Sequence, residues 1–219
     1  MSAAAALLDR LGRPGNLRLG AALATPLPRL PTGLLGLDAA LGGGLPRGRV
    51  TELAGARSTG RTGLTCRIAA AATQASETIA WVDPEDALEP EAAAAIGVVL
   101  DRTLWVRPRD VPDALRATEI LLRAGGFGLV VLDLVAAPKR GGPHWIRLVA
   151  AAERTRTALL VVAPERTVGT FAALGLAVTG RRVRWSGRPV LLDGIDAHVT
   201  VARSRIGRPG REVVVRQVG

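Results

Sequence analysis

Blocks of apolar residues recur along the chain and set the first expectations. Apolar runs near 49–54, 78–83, 103–107, 129–135 and 158–163 read as strands. Between them, Ala- and Leu-rich stretches near 34–41, 62–75, 87–96, 111–124 and 144–156 read as helices. Strands that are apolar throughout, separated by helices, predict a parallel sheet covered on both faces. After Pro164 the pattern changes. The apolar run from Val168 to Thr179 reads as a helix too short to span a membrane. Beyond it, Val183-Arg184-Trp185, Val190-Leu191-Leu192, Ala197 to Ala202 and Glu212 to Arg216 are short strands between Gly, Pro and Asp turns, an antiparallel meander extending the sheet. At the other end, Ala3 to Leu11 forms a short apolar-faced helix followed by a Gly/Pro-bearing connector. A helix that short is not stable alone, so it docks on its own subunit or on another. The expected organisation is an N-terminal helix and linker over 1–30 and one α/β domain over 31–219.

Composition adds three constraints. With 219 residues, 48% of them hydrophobic, the chain can bury a substantial core. Aromatics are 3% of it and tyrosine is absent, which leaves few platforms for stacking nucleic-acid bases. The lone cysteine, Cys66, has no partner for an internal disulfide and reads as a small core residue, with an intracellular location as the default. The net charge is +10, and residues 181–219 hold nine arginines against Asp193, Asp196 and Glu212. That asymmetry suits phosphate-rich or acidic partners. Lysine occurs once, at Lys139. The arginine bias itself reads as a property of the genome and carries no function.

The chemistry concentrates in Gly55-Ala56-Arg57-Ser58-Thr59-Gly60-Arg61-Thr62, between a strand and a helix. Its spacing is that of a phosphate-binding loop, with arginine where lysine normally stands. In such loops backbone N–H groups cradle phosphates at a helix N-terminus, the lysine reaches the outer phosphates and the hydroxyl residue, here Thr62, ligates Mg²⁺. A guanidinium keeps the charge but brings a wider planar fork, so the change is not conservative. Two readings stand for Gly55, Ser58, Thr59, Gly60, Arg61 and Thr62: a nucleotide site, or a relic of one. Asp133 closes an apolar strand and calls for a partner if buried. Glu85 lies between Asp83 and Asp86 in what reads as a solvated turn, where a structural role competes with a catalytic one.

The order of motifs resembles the ATPase core of RecA recombinases. The stretch from Pro31 to Glu52, with Leu37-Asp38, Ala40-Leu41-Gly42-Gly43-Gly44-Leu45-Pro46 and Gly48-Arg49, is similar to the lead-in to that family's phosphate loop. The resemblance runs in order over residues 31–216 and implies an α/β RecA-like phosphate-loop core: a central, mostly parallel sheet flanked by helices, with a C-terminal antiparallel meander. It makes Trp81 to Pro90 the counterpart of the segment bearing the water-activating glutamate, here Glu85. Val130 to Leu134 becomes the Walker B strand, with Asp133 beside Mg²⁺. Arg203-Ser204-Arg205-Ile206 becomes the basic pair that reaches a neighbouring subunit's nucleotide. Thr62 and Asp133 would then hold the metal, and ATP with Mg²⁺ is the implied cofactor.

Four departures shape the functional expectation. Arg61 replaces lysine. The segment Ala136 to Pro143 is too short for the family's first DNA loop. Ala163-Pro164 stands where an Asn-Gln pair senses the γ-phosphate, and neither side chain can hydrogen-bond a phosphate. The chain also ends at Gly219, with no RecA C-terminal domain expected. A RecA core trimmed in this way resembles ImuA, whose family accompanies an inactive Y-family polymerase, ImuB, and an error-prone replicative-type polymerase in damage-induced mutagenesis. SulA-like division inhibitors share a related core. The resemblance implies a cytoplasmic, nucleoid-associated bacterial protein with little or no ATPase, no membrane association and RecA or an ImuB-like polymerase as partner. Docking would use Leu7, Leu8 and Leu11, and self-association is open. DNA contacts, salt-dependent and nonspecific, would fall on Lys139, Arg140, Arg181, Arg182 and Arg184. The rivals are an ATP-binding recombination paralogue and a basic DNA-binding module.

Overall fold

The structure is a computed structural model that describes residues 27–134, 136, 138, 142–186, 191–205 and 210–218. The expected positions Leu7, Leu8, Leu11, Lys139 and Arg140 lie outside them. The described residues open with a small pairing of β1 (Arg29–Leu30) against β2 (Leu45–Pro46), with helix α1 (Leu35–Leu41) between them in sequence. Then β3 (Val50–Ala54), α2 (Arg61–Gln74), β4 (Ile79–Val82), α3 (Pro90–Ile96), β5 (Thr103–Val106), α4 (Val111–Ala124), β6 (Leu129–Asp133), α5 (Pro143–Thr155) and β7 (Ala158–Ala163) alternate as expected. Three long antiparallel strands follow: β8 (Leu174–Ser186), β9 (Leu191–Ser204) and β10 (Glu212–Val218).

The eight strands from β3 onward form one sheet in the order β10-β9-β8-β3-β7-β6-β4-β5. The β8, β3, β7, β6, β4 and β5 strands run parallel, and β8-β9-β10 is the meander. Successive side chains on a strand point to opposite faces, and here both faces are covered. Val131, Leu160 and Val162 enter one core with Leu64 and Ile68 of α2 and Trp81. Their neighbours Val130, Leu132, Leu159 and Val161 enter the other, with Leu122 of α4 and Trp145 and Leu148 of α5. At about 1.5–3 kcal/mol for each large apolar side chain buried, this two-sided packing is why the central strands carry no polar alternation.

Two sequence expectations are corrected. The apolar run 168–179 is not a helix: a single 3₁₀ turn at Gly169–Phe171 leads into β8 at Leu174. Within that run Leu174, Leu176 and Val178 are buried, and they alternate with Gly175, Ala177 and Thr179 at strand period. The separate short strands expected at 183–185 and 190–192 are, over the described residues 183–185 and 191–192, parts of β8 and β9, which run 13 and 14 residues. Register shifts between Gly175 and Leu176, Thr179 and Arg181, and Arg184 and Trp185 let the long hairpin bend.

Candidate phosphate-loop site

The loop lies between the C-terminal end of β3 and the N-terminus of α2, where a doubly covered parallel sheet places its ligands. Gly60 caps α2 in a left-handed conformation (φ 92°), which favours glycine there. Gly55 is confined from both sides: an added Cβ would stand 2.8 Å from Thr59 Oγ1 and 2.9 Å from the Val178 carbonyl of β8. Thr59 Oγ1 donates to the Ala56 carbonyl at 2.8 Å, closing the loop on itself. A cleft of about 400 Å³ opens beside the loop, bounded by Gly55, Thr59, Arg166, Thr179 and Gly180.

Arg61 turns inward. It is buried, 8% exposed, and Nη1 donates a 2.6 Å hydrogen bond to the carbonyl of Gly55, the first residue of its own loop. One of the five guanidinium N–H donors is thereby tied to the loop backbone. Thr62 is exposed on the first turn of α2. Arg61 also lies close enough to Asp133 to favour its ionised form.

Asp133 ends β6 and is 8% exposed. Burial, reinforced by the Asp83 carboxylate, pushes its pKa up to about 6, and Arg61 works against that rise. Asp83 departs from expectation. It is not part of a solvated turn: it is 1% exposed, and its Oδ2 accepts the Leu88 amide at 2.8 Å and the Trp105 indole at 3.3 Å. It fixes the stretch after β4, while Glu85 points into solvent. The signal for Asp83 was the one that flagged Asp133, a carboxylate directly after an apolar strand. Buried Cys66 shares this corner, its thiol pushed up to about 11 by burial and by Asp133.

Arg203 and Arg205 do not share a strand face. β9 ends at Ser204, and Arg203 Nη1 donates to the Gly169 carbonyl at 3.3 Å, while Arg205 is exposed beyond the strand. Arg181, Arg182 and Arg184 lie on β8. Among the described residues no group of three or more His, Cys, Asp and Glu side chains could hold a metal ion. The frame is compatible with a nucleoside triphosphate and its metal, with Thr62 exposed at the start of α2 and Asp133 at the end of β6; the altered element is the cation, Arg61, which is bound to the loop's own backbone.

The glycine-bounded loop opening a helix beside an acidic strand end defines a phosphate-loop α/β core with one altered cradle residue. The comparisons narrow the class. The RecA N-terminal domain family matches residues 2–140, and the chain belongs to that family. It is 42% identical over 139 residues to Protein RecA of Streptomyces avermitilis, covering 63% of this chain and 37% of that one. Against Protein RecA of Kineococcus radiotolerans it is 40% identical over 139 residues, covering 63% of this chain and 40% of the relative. The match thus spans well under half the length of these relatives. A crystal structure of the RadB recombinase shares the fold, with a TM-score of 0.66 and 21% identity over 85% of this chain and 95% of that one. No helix among the described residues is long and apolar enough to cross a membrane.

Proposed function

We propose that this RecA-family chain acts as an accessory protein in DNA-damage-induced mutagenesis, of the ImuA type, working through protein contacts rather than ATP turnover. The observation that carries the reading is the buried Arg61–Gly55 hydrogen bond. Phosphoryl transfer needs a cradle for the phosphates, a metal, a positioned water and a positive group at the transition state. Here the cradle's cation is bound to the cradle's own backbone, and Glu85 is exposed. The Ala163-Pro164 pair offers no side-chain donor at the end of β7. The retained RecA-like scaffold suits docking on a RecA-type core or an ImuB-like polymerase in the bacterial cytoplasm, with a replicative-type polymerase completing the set and DNA a weak, salt-sensitive contact.

The competing reading, an ATP-binding recombination paralogue, draws support from the retained backbone frame: left-handed Gly60 at the start of α2, with Asp133 beside it. A titration of ATP and Mg²⁺ into the chain and into Arg61→Lys separates the two. The accessory reading expects binding at least tenfold tighter in the lysine variant, equivalent to about 1.4 kcal/mol, and no turnover by the natural chain with or without single-stranded DNA. Turnover by the natural chain that vanishes in Glu85→Gln would establish the paralogue instead.

A further inference from the structure

The sheet ends differ. On one side β5 spans only Thr103–Val106; on the other β10 spans Glu212–Val218, and among the described residues its strand neighbour is β9 alone. A long apolar edge is a template for another strand, and proteins that leave such edges single usually blunt them with lysine, proline or a bulge. Residues 212–218 contain no proline, β10 pairs with β9 without a register shift, and its two charges, Glu212 and Arg216, flank an apolar centre. Val214 at its centre is 57% exposed, and Leu35 at the start of α1 is 90% exposed. On the opposite face from Val214, between α1 and β10, runs a groove of about 320 Å³ floored by Gly36, Val213 and Val215.

The edge is also its own complement. Its central residues read Glu212-Val213-Val214-Val215-Arg216. Two copies laid antiparallel about Val214 place Glu212 of each opposite Arg216 of the other, with Val213 opposite Val215. A slip of one residue in either direction opposes charged to apolar positions and loses both pairings. Opposite charges directly across an antiparallel pair are favourable and like charges are not. From the self-complementary edge and the apolar groove beside it, we infer that a second copy of this chain pairs along β10, joining two sheets into one across a two-fold axis. Because that axis is perpendicular to the joined sheet, both α1 helices lie on one face, where the two Leu35 side chains extend the apolar surface covering the new seam. The interface is isologous, as a closed dimer requires. It is independent of the nucleotide loop.

Sedimentation velocity on the full chain tests this. A dimer is expected, and Val214→Asp, which sets two carboxylates face to face, should weaken it by about tenfold or more. Glu212→Arg should do the same by opposing arginines. Adding Arg216→Glu to it should restore the dimer, with thermal melts checking that the fold survives loss of the Arg216–Asp196 register pair on β9. A second readout avoids charge altogether. Cys66 is buried, so Val214→Cys supplies one exposed thiol that meets its own copy across the axis. Mild oxidation should cross-link it rapidly, while Ile120→Cys on the exposed face of α4, 67% exposed in the native residue, should stay uncross-linked. A chain that sediments as a monomer and cross-links no faster at position 214 than at 120 would overturn the inference, whether the edge stays single or other residues of the chain cover it. A dimer indifferent to Val214→Asp would overturn it equally, by locating the contact on another face.

Discussion

The two parts of the sheet are built on different logics. From β3 to β7 the strands are parallel and four to six residues long, each separated by a helix. From β8 to β10 they are antiparallel, 13, 14 and 7 residues long, with no helix among the described residues between them. The match to the RecA N-terminal domain ends at residue 140, within the parallel part. That part carries the phosphate loop, Asp83 and Asp133; the meander carries most of the arginines noted from sequence. The contrast teaches that the scaffold of a nucleotide site and the surfaces available for partners are separate in this chain, so the first can lose its chemistry while the second is kept.

Beside the β3–β8 pairing, a buried carboxylate ties the two parts together. Glu52 on β3 is fully buried, and its Oε1 accepts the backbone amides of Thr167 at 2.5 Å and Val168 at 2.7 Å, just before the chain turns into β8. The Arg166 guanidinium stands 3.6 Å from the other oxygen. Glu52→Leu leaves two buried amides without an acceptor and removes the carboxylate beside Arg166. We expect a loss on the order of 3–5 kcal/mol by urea denaturation, because removing one side of a buried charged network costs far more than its net worth. Glu52→Gln, which keeps an acceptor oxygen, should lose less. If Glu52→Leu cost under about 1 kcal/mol, the two parts would be joined by β3–β8 pairing alone.

The next largest effect lies inside the parallel part and has a pH signature. Asp133 has a folded pKa raised to about 6, above the ordinary aspartate value near 3.9. A raised carboxyl pKa means the folded state holds the proton more tightly than the unfolded chain. Its contribution to stability is therefore present below about pH 4 and lost as pH rises through about 6. Asp133→Asn abolishes that titration. Denaturant unfolding should show the variant more stable than the parent at pH 7, by an order of 2–3 kcal/mol, with the difference shrinking toward pH 4. A parent curve that is flat between pH 4 and 7 relative to the variant would mean Asp133 is better paired than its surroundings indicate.

Much of the parallel part was legible in the sequence, because there local pattern and tertiary role coincide. Apolar runs such as Leu129–Asp133 and Ala158–Ala163 are buried on both faces, and the helices between the strands carry Pro90, Pro112 and Pro143 in their first turns, where proline is suited. The meander was less legible. Alanine and glycine between 172 and 180 lowered the strand signal, although Leu174, Leu176 and Val178 kept strand period. The site followed the same division. Gly60, Arg61 and Asp133 were visible from spacing, but the direction Arg61 turns depends on an acceptor, the Gly55 carbonyl, that only the folded loop supplies. Asp83 and Glu85 were exchanged in emphasis, since spacing alone does not say which carboxylate after β4 faces inward.

The smallest expected effect marks where the meander leaves the core. Trp81 on β4 is 1% exposed and pairs in register with Trp105 and Val131, whereas Trp185, near the end of β8 beyond the last register shift, is 62% exposed opposite Leu192. The same side chain thus serves packing in one part of the sheet and stands largely in water in the other. Trp185→Ser should change stability by no more than about 0.5 kcal/mol, the usual range for surface positions without a special role, and the lost fluorescence should be the part that acrylamide quenches readily. A loss above about 1 kcal/mol would show that the outer end of β8 is covered in solution. The buried core, which already takes in Ala197 and Val215 of the meander, would then reach the outer end of β8.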